Sequence, residues 1–257
     1  LNRQSLVRHK LKYYVDKLAN DEPFGLARYG DGEWMTILGY IGRNNSNGCT
    51  FTQELHDKLM QVLRNDHPYE HAILRIAYRK LGDEIEEFLD RENIEVEWTI
   101  GDTMLDMSLK GKLWPLVNQL RNKRVLYVGP EFLTGLHTKF FRLVGYVQVP
   151  RVDASEHREI IVPAILSMMY KYQPEVVGFS SGLHSKVFID DVWAEFMGRV
   201  TLIDFGSMWD GYFAIPSRSY IRKGGLDWDN LHKQNVRNRP LPKEDVPPLP
   251  KIVIDVE

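Results

Sequence analysis

Two acids stand on either side of one glycine in the segment Arg28-Tyr29-Gly30-Asp31-Gly32-Glu33. Carboxylates this close on a tight turn can share a divalent cation, because hard ions such as Mg2+ or Mn2+ prefer oxygen ligands. A cation held there would bridge a diphosphate and offset charge building on a leaving group. Gly30 and Gly32 would let the backbone bend and approach a ligand closely. Arg28 carries a planar fork suited to a phosphate. A plainer role competes and is compatible with the first: Asp31 caps a helix, and Glu33 sits in its first turn, favoured by the helix dipole.

Three further turns mix glycine with polar groups. The run Ser180-Ser181-Gly182-Leu183-His184-Ser185-Lys186 offers hydroxyls, backbone N–H groups and an ammonium at a helix start, as a phosphate site needs. It lacks the second glycine of a Walker A loop, and an ordinary capped turn with a solvated lysine explains it equally. Asp204, just before Phe205-Gly206, can meet a ribose hydroxyl, orient a metal ligand or act as a base. It can also simply bond to its own turn backbone. Gly129-Pro130-Glu131 fits close ligand contact and a tight turn alike. His137, His157 and His184 fall near loop ends or helix starts, where a lone histidine more often packs than ligates. Zinc-hydrolase and α/β-hydrolase readings are set aside. Cys49 is the one cysteine, which excludes an intrachain disulfide and a Cys-based zinc cluster. No histidine partner for it is evident in the sequence, so thiol catalysis is not expected.

The elements that must hold these residues follow from periodicity. Short apolar runs predict strands at 24–29, 72–77, 97–100, 124–128, 146–149, 176–179 and 200–205. Amphipathic spacing predicts helices at 5–18, 33–40, 52–63 with Thr52 as cap, 81–89, 132–143, 160–170 and 185–197. Residues 102–120 read as one or two helices broken near Gly111 and Pro115, and 42–48 as a loop. Strand and helix alternate, which indicates an α/β fold: a Rossmann-like, mostly parallel sheet with helices on both faces. In such sheets ligands bind beyond the carboxyl ends of the strands, and the four polar turns fall there. After about residue 220 the pattern stops. Gly224-Gly225, the polar run 232–239 and prolines 240, 242, 247, 248 and 250 predict an irregular C-terminal tail. The expected division is a domain at 1–216 and a basic, Pro-rich tail at 217–257, packed on or near the site.

Composition bounds the function. Of 257 residues, 43% are hydrophobic and 26% charged, enough for a real core. A formal net charge of −2 argues against a surface built wholly for nucleic acid. The single cysteine suits a reducing cytoplasm, and no secretory signal or membrane-length apolar run is seen.

The first motif resembles the Arg-Phe-Gly-Asp-Gly-Glu signature of the GT-D glycosyltransferases. That family was first known as a bacterial domain of unknown function, and includes glucosyltransferases that extend glycans on serine-rich repeat adhesins. The similarity continues in order. Residues 124–130 resemble the family's central strand and Val-Gly-Pro turn, 182–187 its Gly-x-x-x-Lys-Val segment, and Ile203-Asp204-Phe205-Gly206 its Ile-Asp-Ile-Gly segment. Coverage runs from about residue 24 to about residue 212. The resemblance implies a Rossmann-like GT-D fold and a D-x-E motif, Asp31 and Glu33, as metal ligands for Mn2+ or Mg2+. It also implies a nucleotide-sugar donor such as UDP-glucose.

The expected function is therefore transfer of a sugar to a glycan, glycoprotein, polysaccharide or other hydroxyl acceptor. Asp31, Glu33 and Asp204 would carry the chemistry. Arg28, Tyr29, Gly30, Gly32, Gly129, Pro130, Ser181, Gly182, His184, Lys186 and Gly206 would line the donor. Two departures stand out. Ser207 occupies a position where relatives often carry histidine. The stretch 217–239, with Arg218, Arg222, Lys223, Lys233, Tyr220 and Trp228, matches nothing in the family. Competing readings are a metal-dependent phosphohydrolase of nucleotides or sugar phosphates, and a nucleic-acid-binding or DNA-base-glycosylating protein that uses the basic tail.

Overall fold

Runs such as Val125-Leu126-Tyr127-Val128 are too short for helices and too apolar to face water on either side, so they pair as strands of a sheet covered on both faces. In a computed structural model, which describes residues 6–45, 48–65, 67–242 and 246–254, they do so. The amino-terminal part runs α1 (Leu11–Ala19), β1 (Gly25–Tyr29), α2 (Asp31–Ile37), α3 (Gln53–Arg64), β2 (Glu70–Ile73), α4 (Arg75–Glu92) and β3 (Trp98–Ile100). Next come α5 (Thr103–Leu109), α6 (Trp114–Arg121), β4 (Val125–Gly129), α7 (Leu136–Lys139), β5 (Leu143–Gln148) and α8 (Arg158–Tyr172). The chain ends with β6 (Val176–Phe179), α9 (Ser185–Phe196), β7 (Thr201–Asp204), α10 (Ser219–Arg222), α11 (Trp228–Asn235) and β8 (Lys251–Val253).

The eight strands form one sheet in the order β3-β2-β1-β7-β6-β4-β5-β8. Every pairing is parallel, so all carboxyl ends lie along one edge. From β1 the chain moves outward to β2. From β7, its neighbour on the other side, it leaves in the opposite direction toward β8. The strand order thus reverses at the β1–β7 boundary, where crevices open in doubly wound sheets. One core lies under α2, α3, α4, α8 and α9, and includes Tyr29, Trp34, Leu126 and Phe188. The other lies under α1, α6, α7 and α11, and includes Leu26, Tyr127, Phe140 and Trp209. Successive strand residues feed opposite cores, as pleating requires.

Local signals explain several boundaries. The Thr52 hydroxyl accepts from Leu55 N at 3.1 Å and starts α3, whose buried Leu55, Leu59, Val62 and Leu63 share one face. Asn93 closes α4 in the left-handed region at φ 51°.

Other expectations shift. The helix expected at 5–18 begins at Leu11, and Val7 instead bridges Thr99; Ser5 lies outside the described residues, as do 46 and 47 of the expected loop. The strand expected at 72–77 stops at Ile73, and a longer helix takes over. The helix expected at 132–143 is a 3₁₀ turn (Glu131–Gly135) and the short α7. Leu143 then opens β5, where sheet pairing with Val125 overrides the helical spacing.

The tail is largely irregular, as expected, but carries two helices and an edge strand. β8 pairs with β5, and His137 Nε2 meets Pro247 O at 3.0 Å. Asn235 is fully buried and bonds Leu113 N and Ser108 O. Residues 243–245 and 255–257 lie outside the described residues. No helix among the described residues is long and apolar enough to cross a membrane.

Candidate functional site

The turn after β1 is organised by Gly30 and Glu33. Gly30 is the extended residue before α2, and the Glu33 carboxylate reaches back to accept from Gly30 N at 2.9 Å. This is the reciprocal half of a capping box, and it explains a glutamate three residues after the cap. Asp31 does not cap: its carboxylate is partly exposed and pairs with Lys80 of α4 at 2.5 Å. Neither Gly30 nor Gly32 needs a left-handed backbone. Gly32 sits close to the turn before α9 instead: a Cβ there would stand 2.8 Å from Leu183 Cδ2, so that side chain would have to turn aside.

Lys186, in the first turn of α9, is only 2% exposed and not the solvated lysine of an ordinary turn. Its ammonium pairs with Glu33 Oε1, lies 2.9 Å from Asp204 Oδ2, and donates to Gly182 O at 3.2 Å. Burial acts to lower this amine, but Asp204 and Glu33 outweigh it and hold it above its usual range. Asp204 ends β7 and is 1% exposed. It does bond to its own turn, accepting from Gly206 N at 2.9 Å, and also accepts from Arg28 N at 3.3 Å. Gly206 takes φ +52°, which suits glycine and lets that turn close over the carboxylate.

Arg28 is buried, and its Nη1 donates to the carbonyls of Asp204 (3.2 Å) and Phe205 (2.8 Å), which ties β1 to the β7 turn. One arm of the fork expected to clamp phosphate is therefore a strut. Its Nε is buried without a partner. Thus Arg28, Glu33, Lys186 and Asp204 meet at the β1–β7 boundary, from positions up to 176 residues apart.

Several expected donor residues lie elsewhere. Tyr29 is fully buried; its hydroxyl meets His71 Nδ1 at 3.0 Å and its ring packs on Trp98, so it belongs to the core. Gly129 ends β4 and Pro130 follows it, separated from β7 by β6, and Pro130 O accepts from the Tyr146 hydroxyl. Gly182 is exposed at φ +60°, while the Ser181 hydroxyl is buried with no partner. The start of the tail does approach the site: Arg218 Nε donates to Ser207 Oγ at 2.9 Å. Trp228 is partly buried and packs on Tyr212, and Asn235 is internal.

Two patterns bear on the hydrolase exclusions. Gly178-Phe179-Ser180-Ser181-Gly182 fits G-x-S-x-G at a strand-to-helix turn. Yet Ser180 Oγ donates to Gly206 O at 2.7 Å and meets the Tyr127 hydroxyl, without a histidine base. His67 and His71 have His-x-x-x-His spacing, which serves a zinc pair on a helix. Here His71 lies on β2 and meets Tyr29, while His67 meets Asp190.

The expectation that Cys49 lacks a histidine is overturned. His184 Nε2 lies 3.3 Å from its sulfur, and Asp153 completes a cluster whose candidate ligand atoms lie within 4.8 Å of one another. Burial pushes the Cys49 thiol up to about 12 and the His184 imidazole down to about 3. A thiol so raised is a poor nucleophile, so thiol catalysis remains unsupported for this new reason.

A cavity of about 640 Å3, lined by residues including Ile37, His56, Arg64 and Phe88, shares no lining residue with the β1–β7 cluster. The cluster is closed by its own ion pairs. Fold and site together define a Rossmann-like α/β protein with a buried acid–base cluster at a strand-order reversal. The chain matches no family model, no curated protein and no solved structure.

Proposed function

We propose that the chain is a GT-D-type glycosyltransferase, set in the cytoplasm, that moves a sugar from a nucleotide-sugar donor such as UDP-glucose to a hydroxyl acceptor. One observation carries this reading. Three of the four segments of the family resemblance, distant in sequence, bring Arg28, Glu33, Lys186 and Asp204 together beside a strand-order reversal, while the segment at 124–130 lies apart.

In this reading Glu33 and Asp31 are the acids of the D-x-E motif. Their oxygens suit Mn2+ or Mg2+, which commonly take one or two carboxylates and complete their shell with water and substrate phosphates. Such an ion would offset charge on the departing nucleotide. Asp31 must leave Lys80, and Glu33 must loosen from Lys186, before either carboxylate is free to ligate. Lys186 and the remaining arm of Arg28 then face the phosphates, and Asp204 orients Lys186 through its carboxylate and the Arg28 guanidinium through its carbonyl.

The test is UDP release from UDP-glucose with Mn2+, in the presence and absence of glycan and glycopeptide acceptors. Acceptor-dependent release that is lost in Asp31→Asn and Glu33→Gln supports transfer. Rapid release without any acceptor points to the phosphohydrolase, and no turnover or binding of any nucleotide sugar overturns the assignment.

A further inference from the structure

Cys49, Asp153 and His184 come from three separate connections: the loop between α2 and α3, the turn after β5 and the turn after β6. The Cys49 backbone and the Asp153 carboxylate are each anchored by a hydrogen bond. Asn45 Oδ1 accepts from Cys49 N at 3.0 Å, and Asp153 Oδ1 accepts from Thr50 N at 3.0 Å. His184 is 3% exposed and Cys49 4%. Other histidines find oxygen partners: His71 meets the Tyr29 hydroxyl, His137 meets Pro247 O, and His232 meets Lys139 O. His184 has the Cys49 sulfur at 3.3 Å, and its Nδ1 has no partner. A buried imidazole whose Nε2 faces only a weakly bonding sulfur calls for an explanation, and an ion beside that nitrogen is among the usual ones; Nδ1 would remain the ring's protonated side.

We propose that these three side chains form a zinc site, separate from the D-x-E acids and different from the multi-cysteine clusters that a lone thiol excludes. The donor set is a thiolate, an imidazole and a carboxylate, which selects Zn2+ over the hard ions Mg2+ and Mn2+. Metal bonds of normal length in a tetrahedron place ligand atoms about 3.6 Å apart. The 3.3 Å separation of sulfur and Nε2 and the 4.8 Å envelope of the trio leave room for that geometry with small adjustments. Charge also balances: the thiolate and carboxylate together neutralise the dication, which makes a buried site tolerable. The neighbouring ammonium groups are already matched, Lys186 by Glu33 and Asp204, and Lys58 by Glu54. The thiol proton leaves to solvent as the metal binds. Three protein ligands leave a fourth position for water. The ion clips the α2–α3 loop to the turns that carry Asp153 and His184, the latter two residues from Lys186.

The probe is Co2+, which reports thiolate ligation by a sulfur-to-cobalt charge-transfer band in the near ultraviolet and four-coordination by intense visible bands. Chelator-treated wild-type protein is titrated with Co2+ and then with Zn2+. The expected result is saturation at one Co2+ per chain, displacement of both bands by one Zn2+, and no displacement by excess Mg2+. Cys49→Ser abolishes the charge-transfer band, His184→Ala weakens binding at least tenfold, and Glu33→Gln leaves both bands intact. Circular dichroism checks the fold of each variant. Folded wild-type protein that gives no charge-transfer band overturns the proposal without any variant, as does a band that survives in Cys49→Ser. Because Glu33→Gln keeps this site while removing a D-x-E acid, failure here is distinguishable from failure of the transferase reading.

Discussion

Replacing Lys186 with Met tests whether the buried cluster is held by charge. Methionine nearly matches the volume of the lysine stem, so packing changes little. What is lost is the ammonium that meets Glu33 and Asp204, which are 8% and 1% exposed. Asp204 keeps Gly206 N and Arg28 N, and Glu33 keeps Gly30 N. Neither keeps a directly paired cation. Breaking a buried pair by removing one partner typically costs about 3–5 kcal/mol. In a chain of this size that corresponds to a fall in Tm of roughly 6–20 °C. Urea unfolding in chelator, followed by circular dichroism and tryptophan fluorescence, measures it. Adding Glu33→Gln to Lys186→Met relieves one stranded charge, so the double variant should be more stable than the sum of the singles by about 0.5–3 kcal/mol. A cost below about 1 kcal/mol for Lys186→Met, the size of a surface pair, would refute the view that this lysine neutralises the site.

Asp31→Asn and Glu33→Gln should differ in stability and agree in activity. The exposed Asp31–Lys80 pair contributes under about 1 kcal/mol, whereas Glu33→Gln should cost about 3 kcal/mol; urea midpoints and UDP release read the two effects, and equal stability losses would contradict the geometry. His71 supplies a pH dependence: burial, with a smaller contribution from His67, lowers its pKa from 6.5 to about 4. The unfolded chain then binds the proton more readily, so the His71 contribution is whole above pH 6.5 and is lost as pH falls toward and through 4. It amounts to about 3 kcal/mol at about 1.4 kcal/mol per pH unit. His71→Gln should flatten the urea midpoint over that window, and parallel curves for the two proteins would show that the proton is not excluded.

The fold was readable where local and tertiary signals agree. Thr52 and the Leu55-Leu59-Val62 stripe placed α3 to within a residue, because cap and apolar face both sit inside one helix. The strand at 176–179 was exact, since a short apolar run bounded by Pro174 and Ser180 has little alternative. Residues 132–143 misled because their helical spacing yields to pairing of β5 with β4. The acids and Lys186 were visible as turn residues, but their roles were not. The burial of Lys186 depends on Glu33, 153 positions away. The Cys49–His184 contact spans 135 positions and leaves no mark in local spacing. Tyr29 shows the limit of a contiguous motif: along a strand, neighbours face opposite sides, so its phenol enters the core.

On the proposed transferase reading, the charge arrangement also restricts how a donor would enter. Asp31 engages Lys80, Lys186 engages Glu33 and Asp204, and Arg28 spends Nη1 on backbone carbonyls. A diphosphate arriving alone meets acids whose cations are turned toward them, not toward it. A divalent cation arriving alone must compete with those same cations for Asp31 and Glu33. When both arrive, the acids exchange their lysines for the dication and the lysines turn to the phosphates, so each ligand removes the obstacle to the other. The coupling must then be reciprocal: Mn2+ tightens UDP-glucose by the same factor by which UDP-glucose tightens Mn2+, on the order of 5–150-fold for ordinary couplings. Isothermal titration in the four half-cycles measures both factors. Chains carrying Lys186→Met should show a smaller factor, because Glu33 there has no lysine to exchange. Equal donor affinity with and without Mn2+ would mean that Asp31 and Glu33 do not stand between the two ligands, and the transferase reading of the motif would fall with them.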